Sequence, residues 1–100
     1  MNMQQMMIQA QKMQRELNKA MEELHKKEFT VNKAGLVTVG VMGDKSISEI
    51  TIDPEAFNAE DKEMIEEMII SAINELQEQI AAEEEAINER VTGKSGGFGF

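Results

Sequence analysis

The feature that most constrains this chain is a stretch of alternating apolar residues, at positions 29–54, between two long helical segments. Every second side chain is apolar, which is the period of a strand with one buried face. The connections at residues 33–35 and 43–46 suit hairpin turns and are too short for a crossover helix. The pattern predicts three antiparallel strands in sequence order. The alternating residues are Phe29, Val31, Val37, Val39, Val41, Ile50 and Ile52.

The first helical segment, residues 2–27, contains no Gly or Pro and is rich in good helix formers. At 100° per residue its Met, Leu and Ala side chains gather on one broad face. Lys12, Arg15, Lys19 and Lys26 form a narrow stripe on nearly the opposite side. The basic stripe suits two interpretations. It is either a solvated helix face supported by i,i+4 charge pairs or a surface for a polyanion.

The second helical segment follows Asp53 and Pro54, which suit a capping position and a first helical position. We expect Asn58 to cap the main helix, starting at Ala59. Apolar residues then recur at three- and four-residue steps, as in a seam for another helix. The acidic run at residues 83–85 interrupts this seam, so the last turns up to Arg90 are expected to fray or to extend into solvent. We expect a single domain over residues 1–91 and a flexible Gly/Phe tail over residues 92–100.

The fold class predicted from this order is α+β. Two layers are expected, an α-β-β-β-α chain with a three-stranded antiparallel meander and protruding helical arms. A chain of 100 residues with four Phe and no Trp or Tyr encloses little core by itself. Its long apolar arms therefore predict a homodimer. The residues expected at the dimer interface are Val39, Val41, Ile50 and Ile52.

Charge is unevenly distributed within a net charge of -9. Residues 1–27 carry five basic and three acidic side chains, a net charge of +2, whereas residues 60–90 carry two basic and eleven acidic ones, a net charge of -9. The two arms therefore differ in electrostatic character. We expect the second arm to repel a polyanion.

The sequence offers little material for catalysis. Its only histidine is His25, and it has no cysteine. No nucleophile–base pair, metal-ligand spacing or phosphate-binding loop stands out. We therefore predict no enzyme activity, no metal, no cofactor and no small-molecule substrate. No apolar run approaches the length of a membrane span, and no secretory leader is evident, so a cytoplasmic protein without a membrane partner is expected.

Several motifs, in this order, resemble the YbaB/EbfC family of bacterial nucleoid-associated proteins. They are the Met/Gln-rich opening helix with QAQKMQ at residues 9–14, the glycine-then-strand segment AGLVTV at 34–39, and ITIDP at 50–54. The similarity continues through DKEMIEEMI at 61–69 and SAINEL at 71–76. Together they cover almost the whole chain.

The resemblance implies an α/β subunit that dimerises through its sheet region, with arms placed like the jaws of tweezers. It also implies binding of double-stranded DNA with low or variable sequence preference, in the nucleoid. The basic residues that match the family's arm are Lys12, Arg15 and Lys19, with Lys26 and Lys27 nearer the sheet. One departure is the strongly acidic second arm.

An alternative hypothesis places the chain among protein-interaction modules. The helix–hairpin–helix order with amphipathic arms is also similar to prefoldin-type chaperone subunits, which grip non-native chains with apolar tips. Met3, Met6, Met7 and Ile8 suit such a tip. The short first arm and the interrupted seam of the second arm argue against it.

Overall fold

The computed structural model describes residues 2–93. The elements are helix α1 (Met3–His25), strands β1 (Glu28–Lys33), β2 (Val37–Met42) and β3 (Ile47–Ile52), two 3₁₀ turns (Pro54–Ala56 and Ala59–Asp61), and helix α2 (Lys62–Thr92). The predicted α+β class and the α-β-β-β-α order are confirmed. Most of the expected Gly/Phe tail, residues 94–100, lies outside the described residues.

The three strands form one antiparallel sheet in the order β1-β2-β3, as predicted. Val39 pairs with Val31 on one side and with Ile50 on the other. Directly paired residues place their side chains on the same face, so the predicted alternating residues share one face of the sheet. A bulge between Gly40 and Val41 brings Ile47 onto this face as well.

The first hairpin turn owes its geometry to two residues with positive φ. Ala34 and Gly35 have φ values of 55° and 71°. The Leu36 N–H donates to the Lys33 carbonyl at 2.9 Å, which closes a turn whose twist matches that of the flanking strands. The Gly35 N–H also donates to the Asn32 side chain at 2.9 Å.

The second hairpin turn joins the sheet to the end of α1. A Cβ atom at Gly43 would lie 1.8 Å from the Leu24 carbonyl oxygen, so only glycine fits this approach. The Gly43 N–H donates to the Lys27 carbonyl at 2.8 Å. In the same turn the Ser46 hydroxyl and N–H donate to Asp44, and these hydrogen bonds lower the pKa of its carboxyl.

The core lies between α2 and the sheet. The first half of α2 packs on β1 and β2, and its second half packs on α1. Leu76 and Ile80 are fully buried at the centre of this layer. The other buried apolar residues are Leu17, Leu24, Phe29, Val37, Val39, Val41, Ala56, Ile65, Ala72 and Ile87.

Two expectations for α2 are wrong. Asn58 precedes a 3₁₀ turn and makes no side-chain cap hydrogen bond there; it donates to the Glu55 carbonyl instead, and α2 starts at Lys62. The turns after the acidic run also neither fray nor extend into solvent on all sides, because Ile87 is buried and Val91 packs against the core. The helix reaches Gly93, whose N–H donates to the Glu89 carbonyl at 2.7 Å.

The molecule is elongated, with extents of 69 × 23 × 15 Å. α1 runs antiparallel to α2 and extends past its end by about fourteen residues, or roughly 20 Å at 1.5 Å per residue. We call residues 2–20 of α1 with the last turn of α2 the distal half, and the remainder the basal half. No helix within residues 2–93 is long and apolar enough to cross a membrane.

Candidate nucleic-acid interface

Three basic side chains form a stripe on the distal half of α1. Lys12, Arg15 and Lys19 follow one another at three- and four-residue steps, so they share one face of the helix. All three are exposed. Within residues 2–93 none of them has an ion pair or a hydrogen-bonded side-chain partner. Their charges are therefore available to a polyanion.

The other two predicted DNA contacts, Lys26 and Lys27, already have carboxylate partners. Lys26 lies 3.7 Å from Glu22 on the same helix. The Lys27 ammonium donates to Glu83 of α2 at 2.7 Å and also lies 4.9 Å from the centre of the Phe29 ring. Lys27 therefore joins α1, α2 and the sheet. The predicted set thus divides into three unpaired and two paired cations.

Two lysines of the sheet region neutralise further acids of α2. Lys33 donates to Glu75 at 2.5 Å, and Lys45 lies 3.8 Å from Glu84. Because Glu83 and Glu84 each face a lysine, the acidic run at residues 83–85 is not a purely repulsive surface. Three of the eleven acidic side chains of residues 60–90 thus have a lysine partner outside α2.

Sequence reasoning missed one cation of the distal half. Arg90 lies in the last turn of α2, is exposed, and lines a shallow groove together with Lys19, Glu16 and Glu23 of α1. It has no ion pair within the described part of the chain. The sequence contains a feature that could have identified it, because Arg90 is the only basic residue in the second half of α2.

The extreme end of α1 carries no acidic side chain. Between residues 2 and 15 the only charged groups are Lys12 and Arg15. Met3, Met6, Met7 and Ile8 are exposed there. This end is held in a helical conformation by a capping box, in which the Gln5 N–H donates to the Asn2 side chain at 2.7 Å.

The four residues expected at a dimer interface lie on the helix-facing side of the sheet. Val39 and Val41 are 0% and 1% exposed, because α2 covers β1 and β2. Ile50 is 48% exposed and Ile52 is half-buried. β3 thus extends the buried apolar layer past the edge of α2, where Ile47 is also exposed.

The candidate site is an exposed basic surface and not a cavity. His25 is exposed, and within residues 2–93 no three His, Asp or Glu side chains are arranged to hold a metal ion. The distal cations have long side chains and, among residues 2–93, no ion-pair partner. Such groups neutralise phosphates without forming a rigid pocket.

The chain matches known proteins over nearly its full length. The model of the YbaB/EbfC DNA-binding family matches residues 1–96. A nucleoid-associated protein of Enterococcus faecalis is 38% identical, with 97% of this chain and 94% of the relative covered. Nucleoid-associated proteins of Lactococcus lactis and Ruminiclostridium cellulolyticum are each 37% identical, with 94% and 98% of this chain and 92% and 84% of the relatives covered. The chain therefore belongs to the YbaB/EbfC DNA-binding family, which is not a family of enzymes.

Proposed function

We propose that this protein is a nucleoid-associated protein that binds double-stranded DNA as a homodimer, mainly through phosphate contacts and with low sequence specificity. The observation that carries the proposal is the group of unpaired cations in the distal half: Lys12, Arg15, Lys19 and Arg90. Membership of a DNA-binding family and similarity to nucleoid-associated proteins support the same function. The proposed location is the nucleoid, within the cytoplasm.

Low specificity is inferred from the kind of side chain on this surface. Flexible lysine and arginine side chains on the outside of a helix neutralise phosphates, and phosphate contacts carry no base readout. Residues 2–25 include no Phe, Tyr or Trp side chain on which unpaired bases would stack. Duplex DNA is therefore the proposed ligand rather than a single strand.

The homodimer is proposed to form through the uncovered flank of the sheet. Ile47 and Ile50 of β3 are about half exposed, and Phe57, which follows β3 in the chain, is 71% exposed. Phe57 and Ile52 of β3 line an apolar groove of about 440 Å³ between the 3₁₀ turns and α2. A second copy placed here would bury this apolar surface, and Val39 and Val41 would form the layer beneath it. Two subunits would then present two distal halves to one duplex.

The dimer proposal has a matched pair of variants. Ile50→Asp is expected to leave a folded subunit of monomer mass, because it charges the exposed flank. Val39→Asp is expected to unfold the subunit, because it places a charge inside the core. Sedimentation and circular dichroism distinguish the two results. A dimer of unchanged stability for Ile50→Asp would contradict the proposed interface.

A second candidate function is chaperone-like binding of non-native chains. The exposed Met3, Met6, Met7 and Ile8 at the end of α1 favour it. Such binding depends on apolar contacts and is insensitive to moderate salt. Binding through phosphate contacts, in contrast, weakens steeply as the salt concentration rises.

The experiment that tests the proposed function is a titration of random-sequence duplex at low and moderate salt. We expect retention of duplex at low salt that falls as salt rises, with the same midpoint for unrelated sequences. A parallel assay measures suppression of aggregation of a denatured client. Absence of duplex binding at low salt, with salt-insensitive suppression of aggregation, would replace the proposed function by the chaperone-like one.

A further inference from the structure

The basic face of α1 carries one large apolar side chain, that of Ile8. At 100° per residue, Ile8 lies within about 40° of all three cations of the distal stripe around the helix axis. Nine residues, or about two and a half turns, separate Ile8 from Leu17, which is buried where α1 packs on α2. The two side chains therefore project from opposite sides of α1. Ile8 is 56% exposed and lies away from the contact between the helices.

The part of α1 that extends past α2 has the width of the major groove of DNA. It is about fourteen residues long, and Ile8 lies near its middle. An α-helix with its side chains is about 10–12 Å in diameter, and the major groove of B-DNA is about 12 Å wide. Within residues 2–93, no second helix lies beside this part of α1. The capping box of Asn2 and Gln5 holds it in a helical conformation in the free protein, so binding requires no ordering of this segment.

Given the proposed binding of double-stranded DNA, on which this step rests, we propose that the uncovered part of α1 enters the major groove with Ile8 in contact with thymine methyl groups. Thymine presents its C5 methyl group in this groove, where apolar side chains contact it. Lys12 and Arg15 lie roughly 6 and 10 Å farther along α1, so their long side chains reach phosphates while Ile8 faces the bases. Residues 2–15 include no acidic side chain that would oppose this approach.

The contact of Ile8 with thymine is compatible with low sequence specificity. A single apolar side chain forms no directional hydrogen bond, so it accepts any thymine methyl group within its reach. Lys12 and Arg15 bind phosphates, and these contacts carry no base readout. Duplexes of unrelated sequence and equal thymine content are therefore bound alike, whereas loss of the thymine methyl groups weakens binding.

The test compares a random-sequence duplex with the same duplex carrying uracil in place of thymine. The exchange removes the C5 methyl groups and keeps every phosphate and every base pair. By fluorescence anisotropy at low salt, the full-length protein is expected to bind the uracil duplex about fourfold more weakly, as for loss of one buried methyl group. Ile8→Ala is expected to bind both duplexes with the affinity of the parent for the uracil duplex, and with the salt dependence of the parent.

Met6→Ala is the matched control. Met6 is 57% exposed, about as much as Ile8, but projects from nearly the opposite side of α1. This variant is expected to keep the parent's affinity and its preference for thymine. Equal affinity of the parent for the two duplexes, or a preference for thymine that survives Ile8→Ala, would overturn the contact with thymine and leave the proposed function standing. Absence of duplex binding at low salt would overturn both.

Discussion

The distal and basal halves of the molecule both carry lysine side chains, and the distal half also carries two arginines, in different electrostatic settings. In the basal half Lys26, Lys27, Lys33 and Lys45 each face a carboxylate within 4 Å. In the distal half Lys12, Arg15, Lys19 and Arg90 face none within the described residues. Lys12 and Arg15 lie where α1 extends past the end of α2, and Lys19 and Arg90 lie beside each other near that end. A cation paired with a carboxylate serves the fold, and one without such a pair remains available to a ligand.

This comparison explains how an acidic protein can carry a DNA-binding surface. The net charge of -9 describes the whole chain, but contacts with phosphate are short-ranged at physiological salt, where charges are screened within about 8 Å. The end of α1 has two basic and no acidic side chains between residues 2 and 15. The local charge near a docked duplex is therefore positive there.

The largest expected effect contrasts the packing of the two halves. Leu76→Ala removes a fully buried side chain from the basal core and is expected to lower the free energy of unfolding by about 2–5 kcal/mol. Ile8→Ala, at an exposed distal position, is expected to change it by less than about 0.5 kcal/mol. Urea denaturation measures both. Equal losses of unfolding free energy in the two variants would show that the distal half is packed as tightly as the basal half.

A smaller effect is expected at the joint between the sheet and α1. Gly43→Ala forces the Leu24 carbonyl to move and is expected to destabilise the protein by about 1–3 kcal/mol. Gly35→Asn serves as the control, because its added Cβ meets no atom within 4 Å and Asn tolerates a left-handed φ. Thermal denaturation compares the two variants. A Gly43→Ala protein as stable as the parent would contradict the close approach of the turn to α1.

The smallest expected effect concerns a basal ion pair. Glu83→Gln removes the partner of Lys27 and is expected to cost about 0.5–1 kcal/mol, because both side chains are partly exposed. It also frees the Lys27 charge, so duplex affinity is expected to rise slightly. Denaturation and a duplex titration of the same preparation check both effects. Weaker duplex binding at unchanged stability would show that the pair does not withhold Lys27 from DNA.

The sequence was sufficient for the elements that depend on local periodicity. The alternation at Val37, Val39 and Val41 identified the central strand and its buried face. Ile47 was missed because the bulge beside Gly40 and Val41 breaks the alternation of the opposing strand. The start of α2 was placed early because Asn58 has the residue type of a cap but donates its side-chain hydrogen bonds to other partners.

Which cations of the candidate site form ion pairs depends on contacts between distant segments, and no local sequence pattern encodes these contacts. Lys19 lies in α1 and Lys27 follows its end, and the two look alike in sequence, yet of these two only Lys27 pairs with an acid, which is 56 residues away. The role of Arg90 also depends on the alignment of the two helices, which brings it beside Lys19. Ion pairs between distant segments therefore decide which cations support the fold. The cations without such pairs remain candidates for DNA contact.

The central claim is tested most directly by the salt dependence of duplex binding in two variants of equal charge. One is Lys12→Gln/Arg15→Gln/Lys19→Gln in the distal half, and the control, Lys26→Gln/Lys45→Gln/Lys62→Gln, changes exposed basal cations that already have partners. The distal variant is expected to bind all duplexes more weakly, with a slope of log affinity against log salt shallower by about 0.9 per lost phosphate contact. The control is expected to retain the slope of the parent. A distal variant that binds as tightly as the parent at equal salt, or a control that loses as much affinity, would contradict the account.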